Sequence, residues 1–84
     1  MENLGELIAK LEKASGSFEL SKVTTFRGFL DGAGEIEIEV MERPGNYHIF
    51  ARTLELDVEK TATGNSGEDL DTTIALVHWG DLKR

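Results

Sequence analysis

Residues 35–42 alternate between glutamate and branched apolar side chains over most of their length. A period of two is typical of a β-strand that turns one face to a core and the other to water. Turn motifs flank this segment, at residues 31–34 before it and at residues 43–46 after it. A chain built around this segment is therefore expected to form an antiparallel sheet with one covered face.

Two further strands are predicted beside this segment. Residues 23–30 and residues 47–58 are rich in β-branched and aromatic side chains. If each turn leaves three residues unpaired, the register places seven apolar residues on the core face: Phe26, Leu30, Ile36, Ile38, Val40, Phe50 and Leu54. A slip of one residue would bury glutamates instead.

The same register makes two predictions about arginines. Arg27 is expected opposite Glu39 on the outer face, which is a favourable cross-strand pair. Arg52 falls on the core side, where its charged end has to reach outwards to water.

The N-terminal segment has helical periodicity, with apolar residues at Leu4, Leu7, Ile8, Leu11 and Ala14. Asn3 followed by Glu6 is a capping-box pattern, and Gly16 is a suitable C-terminal stop. We expect this helix to cover the core face of the sheet, with Leu11 against Ile38 and Val40.

The C-terminal third fits two structures. Ser66 followed by acidic residues is typical of a helix N-terminus, and apolar residues then recur at helical spacing up to Val77. Residues 72–79 are also β-branched and aromatic enough for a strand. We favour the helix.

The predicted fold is therefore a single α+β domain over residues 1–84. Its order is α-β-β-β-α, with a three-stranded antiparallel sheet covered by helices. The alternative is one helix on a four-stranded antiparallel sheet.

Length and charge limit the functional classes. The 84 residues include sixteen acidic and nine basic side chains, for a formal charge of −7, and no cysteine. This charge disfavours direct contact with nucleic acid or anionic membranes, and it favours a protein partner with a basic surface. The lack of cysteine suits a reducing cytosol, and neither a membrane helix nor a secretory signal is recognisable. We expect a cytoplasmic protein.

The sequence contains no recognisable catalytic or metal-binding constellation. His48 and His78 have no second ligand at metal-binding spacing, and no serine lies in a nucleophile-elbow motif. Gly32 and Gly34 precede a strand, whereas a phosphate-binding loop precedes a helix. Residues 64–71 carry oxygen ligands without EF-hand spacing, so helix capping is the simpler interpretation. We predict no enzymatic activity, no cofactor and no metal.

Two contact surfaces are predicted on the outer side of the sheet. The first is acidic: Glu35, Glu37 and Glu39 form its row on the outer side, and Glu42 near the end of the strand is predicted to contact the partner as well. Alternate residues on a strand stand about 6.6 Å apart. This is near twice the roughly 3.4 Å phosphate step of one DNA strand, so the row could imitate a nucleic-acid backbone. The alternative is that these glutamates serve solubility and edge protection.

The second predicted surface is apolar and consists of Phe29, Met41, Tyr47 and Ile49. Large apolar side chains grouped on one side of a small protein often mark an interface. A homodimer or another protein partner would bury this patch.

Two partial resemblances bear on function. The stretch from Gly45-Asn46-Tyr47 through residues 64–70 to about Leu76 resembles HicB-like antitoxins, which implies an antitoxin or regulatory role. Residues 7–16 are similar to the opening helix of many small phage and prophage proteins. We therefore predict a small acidic protein-interaction module, such as a phage or mobile-element inhibitor that mimics phosphate and so blocks a nucleic-acid-binding host defence protein. The alternative is a HicB-like antitoxin or regulatory domain.

Overall fold

The computed structural model describes residues 3–55 and 57–83. Its sheet has four antiparallel strands in the order β1-β2-β3-β4. The elements are α1 (Leu4–Ser15), β1 (Lys22–Leu30), β2 (Gly34–Arg43), β3 (Asn46–Thr53), β4 (Thr61–Ser66), α2 (Leu70–Leu76) and a 3₁₀ helix (Trp79–Leu82). The α+β class and the antiparallel sheet are confirmed. The number of strands agrees with the predicted alternative of four, whereas the presence of a C-terminal helix agrees with the favoured prediction.

The first helix begins and ends where the sequence predicts. The Asn3 side chain accepts a hydrogen bond from the backbone N–H of Glu6 at 2.8 Å, which satisfies one of the free donors of the first turn. Gly16 ends the helix with φ of +76°, a left-handed conformation that glycine adopts without steric cost.

The turn between β1 and β2 leaves three residues unpaired, as predicted, because Leu30 pairs with Gly34. This register places Phe26 opposite Ile38, and it places Arg27 opposite Glu37. The predicted pairing of Arg27 with Glu39 is therefore wrong by two residues, a shift that keeps both side chains on the same face.

The turn between β2 and β3 is one residue shorter than predicted. Arg43 pairs with Asn46, so only Pro44 and Gly45 connect the strands, and Gly45 has φ of +75°. Proline followed by glycine with positive φ is typical of the two central positions of a type II turn.

This shorter turn moves every residue of β3 to the opposite face. Ile49 and Tyr47 lie on the inner face, so their predicted outer positions are wrong. Phe50 lies on the outer face, not in the core, and Arg52 lies there too, so it does not need to emerge from a core.

The third strand ends at Thr53, well before the predicted position 58, and Leu54 lies in the connection that follows. The fourth strand, Thr61–Ser66, is an element that the sequence pattern did not reveal. Its inward positions are Ala62 and Gly64, which are small and not strongly apolar.

The core lies between the inner face of the sheet and the C-terminal elements. It consists of Ala33, Ile36, Ile49, Ala51, Ala62, Val77 and Leu82. Gly64 allows α2 to approach closely, because a Cβ there would lie 2.6 Å from the backbone oxygen of Thr73. The elements that cover the core are therefore α2 and the 3₁₀ helix.

The prediction that α1 covers the core face is wrong. Leu11 is 50% exposed and lines a shallow cleft with Leu20 and Lys22, away from Ile38 and Val40. Among the described residues, the core cluster contains none from α1.

The buried Ile8 and several polar contacts hold α1 at the β2–β3 turn end of the sheet. The Glu12 carboxylate accepts a hydrogen bond from the N–H of Leu20 at 3.1 Å, and Arg43 donates to the carbonyl oxygen of Leu20 at 2.7 Å. Arg43 Nη1 also lies 3.8 Å from Glu12. The molecule is consequently elongated, 43 × 25 × 21 Å with a radius of gyration of 15.0 Å. About 12 Å is typical of a compact domain of this length.

The close contact at Gly64 leads to a stability prediction with a matched control. Gly64→Ala should destabilise the fold by about 1–3 kcal/mol, because the added methyl group would overlap Thr73 and Val77. Gly28 lies on β1 and faces the same side of the sheet as Gly64, but a Cβ added there would meet no atom within 4 Å. Gly28→Ala should therefore be neutral or slightly stabilising. Urea unfolding monitored by circular dichroism measures the free energy of unfolding of both variants. Equal effects would mean that α2 does not pack on β4.

Candidate functional site

The outer face of the sheet is the side opposite the core. Its members follow from the strand register and from the alternation of side chains along each strand. They are Val23, Thr25, Arg27 and Phe29 on β1, Glu35, Glu37, Glu39, Met41 and Arg43 on β2, Asn46, His48, Phe50 and Arg52 on β3, and Thr61, Thr63 and Asn65 on β4.

Three charged residues of the outer face form an ion-pair row across neighbouring strands. Arg27, Glu37 and Arg52 are direct cross-strand partners on β1, β2 and β3. Glu37 Oε2 accepts from Arg27 Nε at 3.0 Å, and Arg27 Nη2 lies 3.0 Å from the same oxygen. Glu37 Oε1 accepts from Arg52 Nε at 3.1 Å and from Arg52 Nη2 at 2.9 Å. Each carboxylate oxygen therefore meets one guanidinium fork.

The two arginines shield Glu37 and stabilise its charged form. The Glu37 side chain is only 8% exposed, whereas those of Arg27 and Arg52 are 61% and 37% exposed. The hydrogen bonds from Arg52, and then those from Arg27, hold the pKa of Glu37 below its ordinary value. The Glu37 carboxylate in turn raises the pKa of Arg52. The guanidinium groups are thus fixed in place while part of each still faces solvent.

Apolar side chains surround the ion-pair row. Phe29 is 81% exposed and Val23 is 52% exposed, both on β1. Met41 and His48 are cross-strand partners on β2 and β3, and both are partly exposed, as is Phe50. Fixed arginines beside aromatic and sulfur-containing side chains make up a composition that is enriched in protein interfaces.

The structure separates the predicted contact residues into two groups. Five of them lie on the outer face: Glu35, Glu37, Glu39, Phe29 and Met41. Glu42 and Tyr47 lie on the inner face and line a cleft with Pro44 and the first residues of α1. Ile49 is 1% exposed in the core and is unavailable to a partner.

The charge distribution differs from the predicted acidic outer strand. On the outer face Glu35, Glu37 and Glu39 are balanced by three arginines, namely Arg27, Arg43 and Arg52. The formal charge of −7 therefore belongs to the rest of the chain. Because Glu37 is also paired within the protein, the three glutamates do not form a row of free carboxylates.

Sequence reasoning missed Arg52 and Phe50 as outer-face residues. The signal that could have found them is the Pro44-Gly45 pair, which favours a two-residue connection. That connection would have placed Arg52 opposite Glu37 and removed the need for a charged side chain on the core face.

The described residues offer neither a metal cluster nor a membrane-spanning helix. Within residues 3–55 and 57–83, no group of three or more His, Cys, Asp or Glu side chains is placed to hold a metal ion. No helix in the described part of the chain has the length and apolar character needed to span a membrane. Comparison of the chain with protein-family models, with curated proteins and with solved structures gave no match.

The lowered pKa of Glu37 makes the stability of the ion-pair row depend on pH. The row should contribute fully above the ordinary glutamate pKa of 4.5 and lose its contribution as the pH falls through the lower folded-state pKa. Glu37→Gln should therefore lower the melting temperature at neutral pH, and the difference from the wild type should shrink in acid.

Thermal unfolding between neutral pH and about pH 3 tests this prediction. Glu39→Gln is the matched control, because Glu39 lies on the same strand and the same face. A Glu37→Gln difference that stays constant with pH, or one no larger than that of Glu39→Gln, would contradict the assigned role of the ion-pair row.

Proposed function

We propose that the protein is a protein-interaction module without enzymatic activity, and that its contact surface is the outer face of the sheet. The ion-pair row is the observation that supports this most, because it holds Arg27 and Arg52 in place before a partner arrives. Arginine and aromatic residues carry much of the binding energy at interfaces, and side chains that are already fixed lose less entropy on binding.

The position of the core supports the same surface. The described core residues pack between the inner face and the C-terminal elements, so they do not bury the apolar side chains of the outer face. Phe29 at 81% exposure is the clearest case. A partner that covered Phe29, Met41 and Phe50 would bury apolar area at about 25 cal/mol per Å².

Charge favours a protein partner with a basic surface. The outer face itself is balanced, but the chain carries a formal charge of −7. Long-range attraction from the surrounding acidic surface would speed the encounter with a basic protein, and the same charge disfavours nucleic acid. Binding of this kind weakens as salt is added.

Two narrower roles stay sequence-based predictions: inhibition of a nucleic-acid-binding defence protein, and a HicB-like antitoxin or regulatory role. A cytoplasmic location likewise stays a prediction. Phosphate mimicry by Glu35, Glu37 and Glu39 is not part of the present proposal, since the Glu37 carboxylate is already occupied by two arginines.

Capture from a lysate of the source cells tests the outer face. The immobilised chain should retain at least one protein that is lost with Met41→Lys and with His48→Lys, two substitutions at one cross-strand pair of this face that add positive charge against a basic partner. Leu76→Lys is the control, because Leu76 is 48% exposed on α2, away from the outer face. It should leave retention unchanged.

Mass spectrometry identifies the retained proteins, and circular dichroism checks that each variant is folded. The proposed contact surface would be contradicted if both outer-face substitutions left the retained proteins unchanged. It would also be contradicted if these proteins were lost only with Leu76→Lys. Retention that is insensitive to salt would contradict the electrostatic part of the proposal.

A further inference from the structure

We propose that two copies of this chain associate through the edge strand β1. The two strands would run antiparallel about a two-fold axis at Phe26, joining two four-stranded sheets into one of eight strands. This inference rests on the edge strand alone and does not depend on the proposed outer-face function.

The first observation is that β1 is a long, regular and open edge. It has nine residues, contains no proline and pairs on one side with β2. In the described part of the chain no strand pairs with its other side. An edge of this kind presents unpaired backbone N–H and C=O groups that favour pairing with another strand.

The opposite edge of the sheet is different. Strand β4 has six residues, three fewer than β1. A shorter edge strand presents fewer unpaired backbone groups to another chain. This contrast makes β1 the edge that is suited to a second copy.

The second observation is the self-complementary order of side chains along β1. A two-fold axis normal to the sheet keeps the two inner faces on one side, so inner residues pair with inner residues. Phe26 is the fifth of nine residues, and an axis there pairs the strands over their full length. Phe26 then meets Phe26 of the other copy, and Val23 meets Phe29 on the outer face.

These pairs account for the exposed apolar side chains of the strand. Val23 is 52% exposed, Phe26 is 54% exposed and Phe29 is 81% exposed. Each would gain an apolar cross-strand partner, and aromatic pairs of this kind are favourable in sheets.

Charge is compatible with the same register. With the axis at Phe26, Lys22 faces Leu30 and Arg27 faces Thr25, so no like charges stand opposite each other. An axis at Arg27 would bring two arginines together, and an axis at Thr25 would place Val23 against Arg27. Glu37 also holds the Arg27 guanidinium on the side of β2, away from the shared edge.

The pairing supplies enough polar contact for a specific interface. Nine opposed residues in an antiparallel ladder form on the order of eight to ten backbone hydrogen bonds, as alternate pairs exchange two each. A typical interface between proteins has about ten.

Sedimentation equilibrium at micromolar concentration tests the dimer. We expect a reversible dimer for the wild type, and Phe26→Lys should raise its Kd by about tenfold or more, because it places two lysines opposite each other. Val58→Lys is the control, since Val58 is 74% exposed in the β3–β4 connection. It should leave the Kd unchanged.

A second measurement places the axis. The chain has no cysteine, so Phe26→Cys introduces a single thiol. A short bis-maleimide should link two copies of the Phe26→Cys chain efficiently and should link two copies of a Val58→Cys chain poorly. Circular dichroism verifies the folding of all variants.

A strict monomer for the wild type would overturn the proposal. So would a dimer that survives Phe26→Lys, or one that is dissociated by Met41→Lys but not by Phe26→Lys, since the outer face would then be the dimer surface. Equal cross-linking of the two cysteine variants would likewise overturn the placement of the axis at Phe26.

Discussion

The two-residue connection at Pro44 and Gly45 decides which side of the sheet each residue of β3 faces. Because side chains alternate along a strand, one additional residue in this turn would exchange the two faces of β3. Ile49 and Ala51 would leave the core, and Arg52 would enter it without a partner. Burying an unpaired guanidinium is far more costly than exposing an isoleucine, so the short turn and the burial pattern support each other.

The same register creates the ion-pair row. Arg52 can reach Glu37 only because the two residues are direct partners across β2 and β3. Arg27 occupies the corresponding position on the other side of Glu37. A carboxylate between two guanidinium groups accepts more hydrogen bonds than it would in a single ion pair. Each arginine is also held in one conformation in advance, so a binding partner would not have to restrict it.

The size of the inward side chains decides which helix covers the sheet. Ala51, Ala62 and Gly64 form a flat surface on β3 and β4, and α2 packs there with its backbone almost in contact with Gly64. α1 is the more regular helix in sequence, but its contacts are with the segment around Leu20 and with the β2–β3 turn. The inner side of β1 is consequently left open, and Phe26 is more than half exposed.

Local patterns in the sequence predicted much of the fold, and tertiary contacts decided the rest. The caps at Asn3 and Gly16, the three-residue turn before Gly34 and the α+β class all follow from local signals. β4 was missed because its inward residues are recognisable by small size and not by hydrophobicity. The site was only half predicted: Glu37 was identified, but Arg52 requires the β3 register, which depends on a single residue in a turn.

The proposed contact surface and the proposed dimer edge meet along β1, and this determines what a dimer would present. A two-fold axis normal to the sheet places both outer faces on the same side of an eight-stranded sheet. Arg27 of each copy would then stand near the axis, opposite Thr25 of the other copy, with the Val23 and Phe29 pairs above and below along the strands. The two ion-pair rows would extend outwards from this centre in opposite directions. A partner that binds one outer face would therefore find a second one related by 180°, and a bivalent partner would gain from the high effective concentration of the second site.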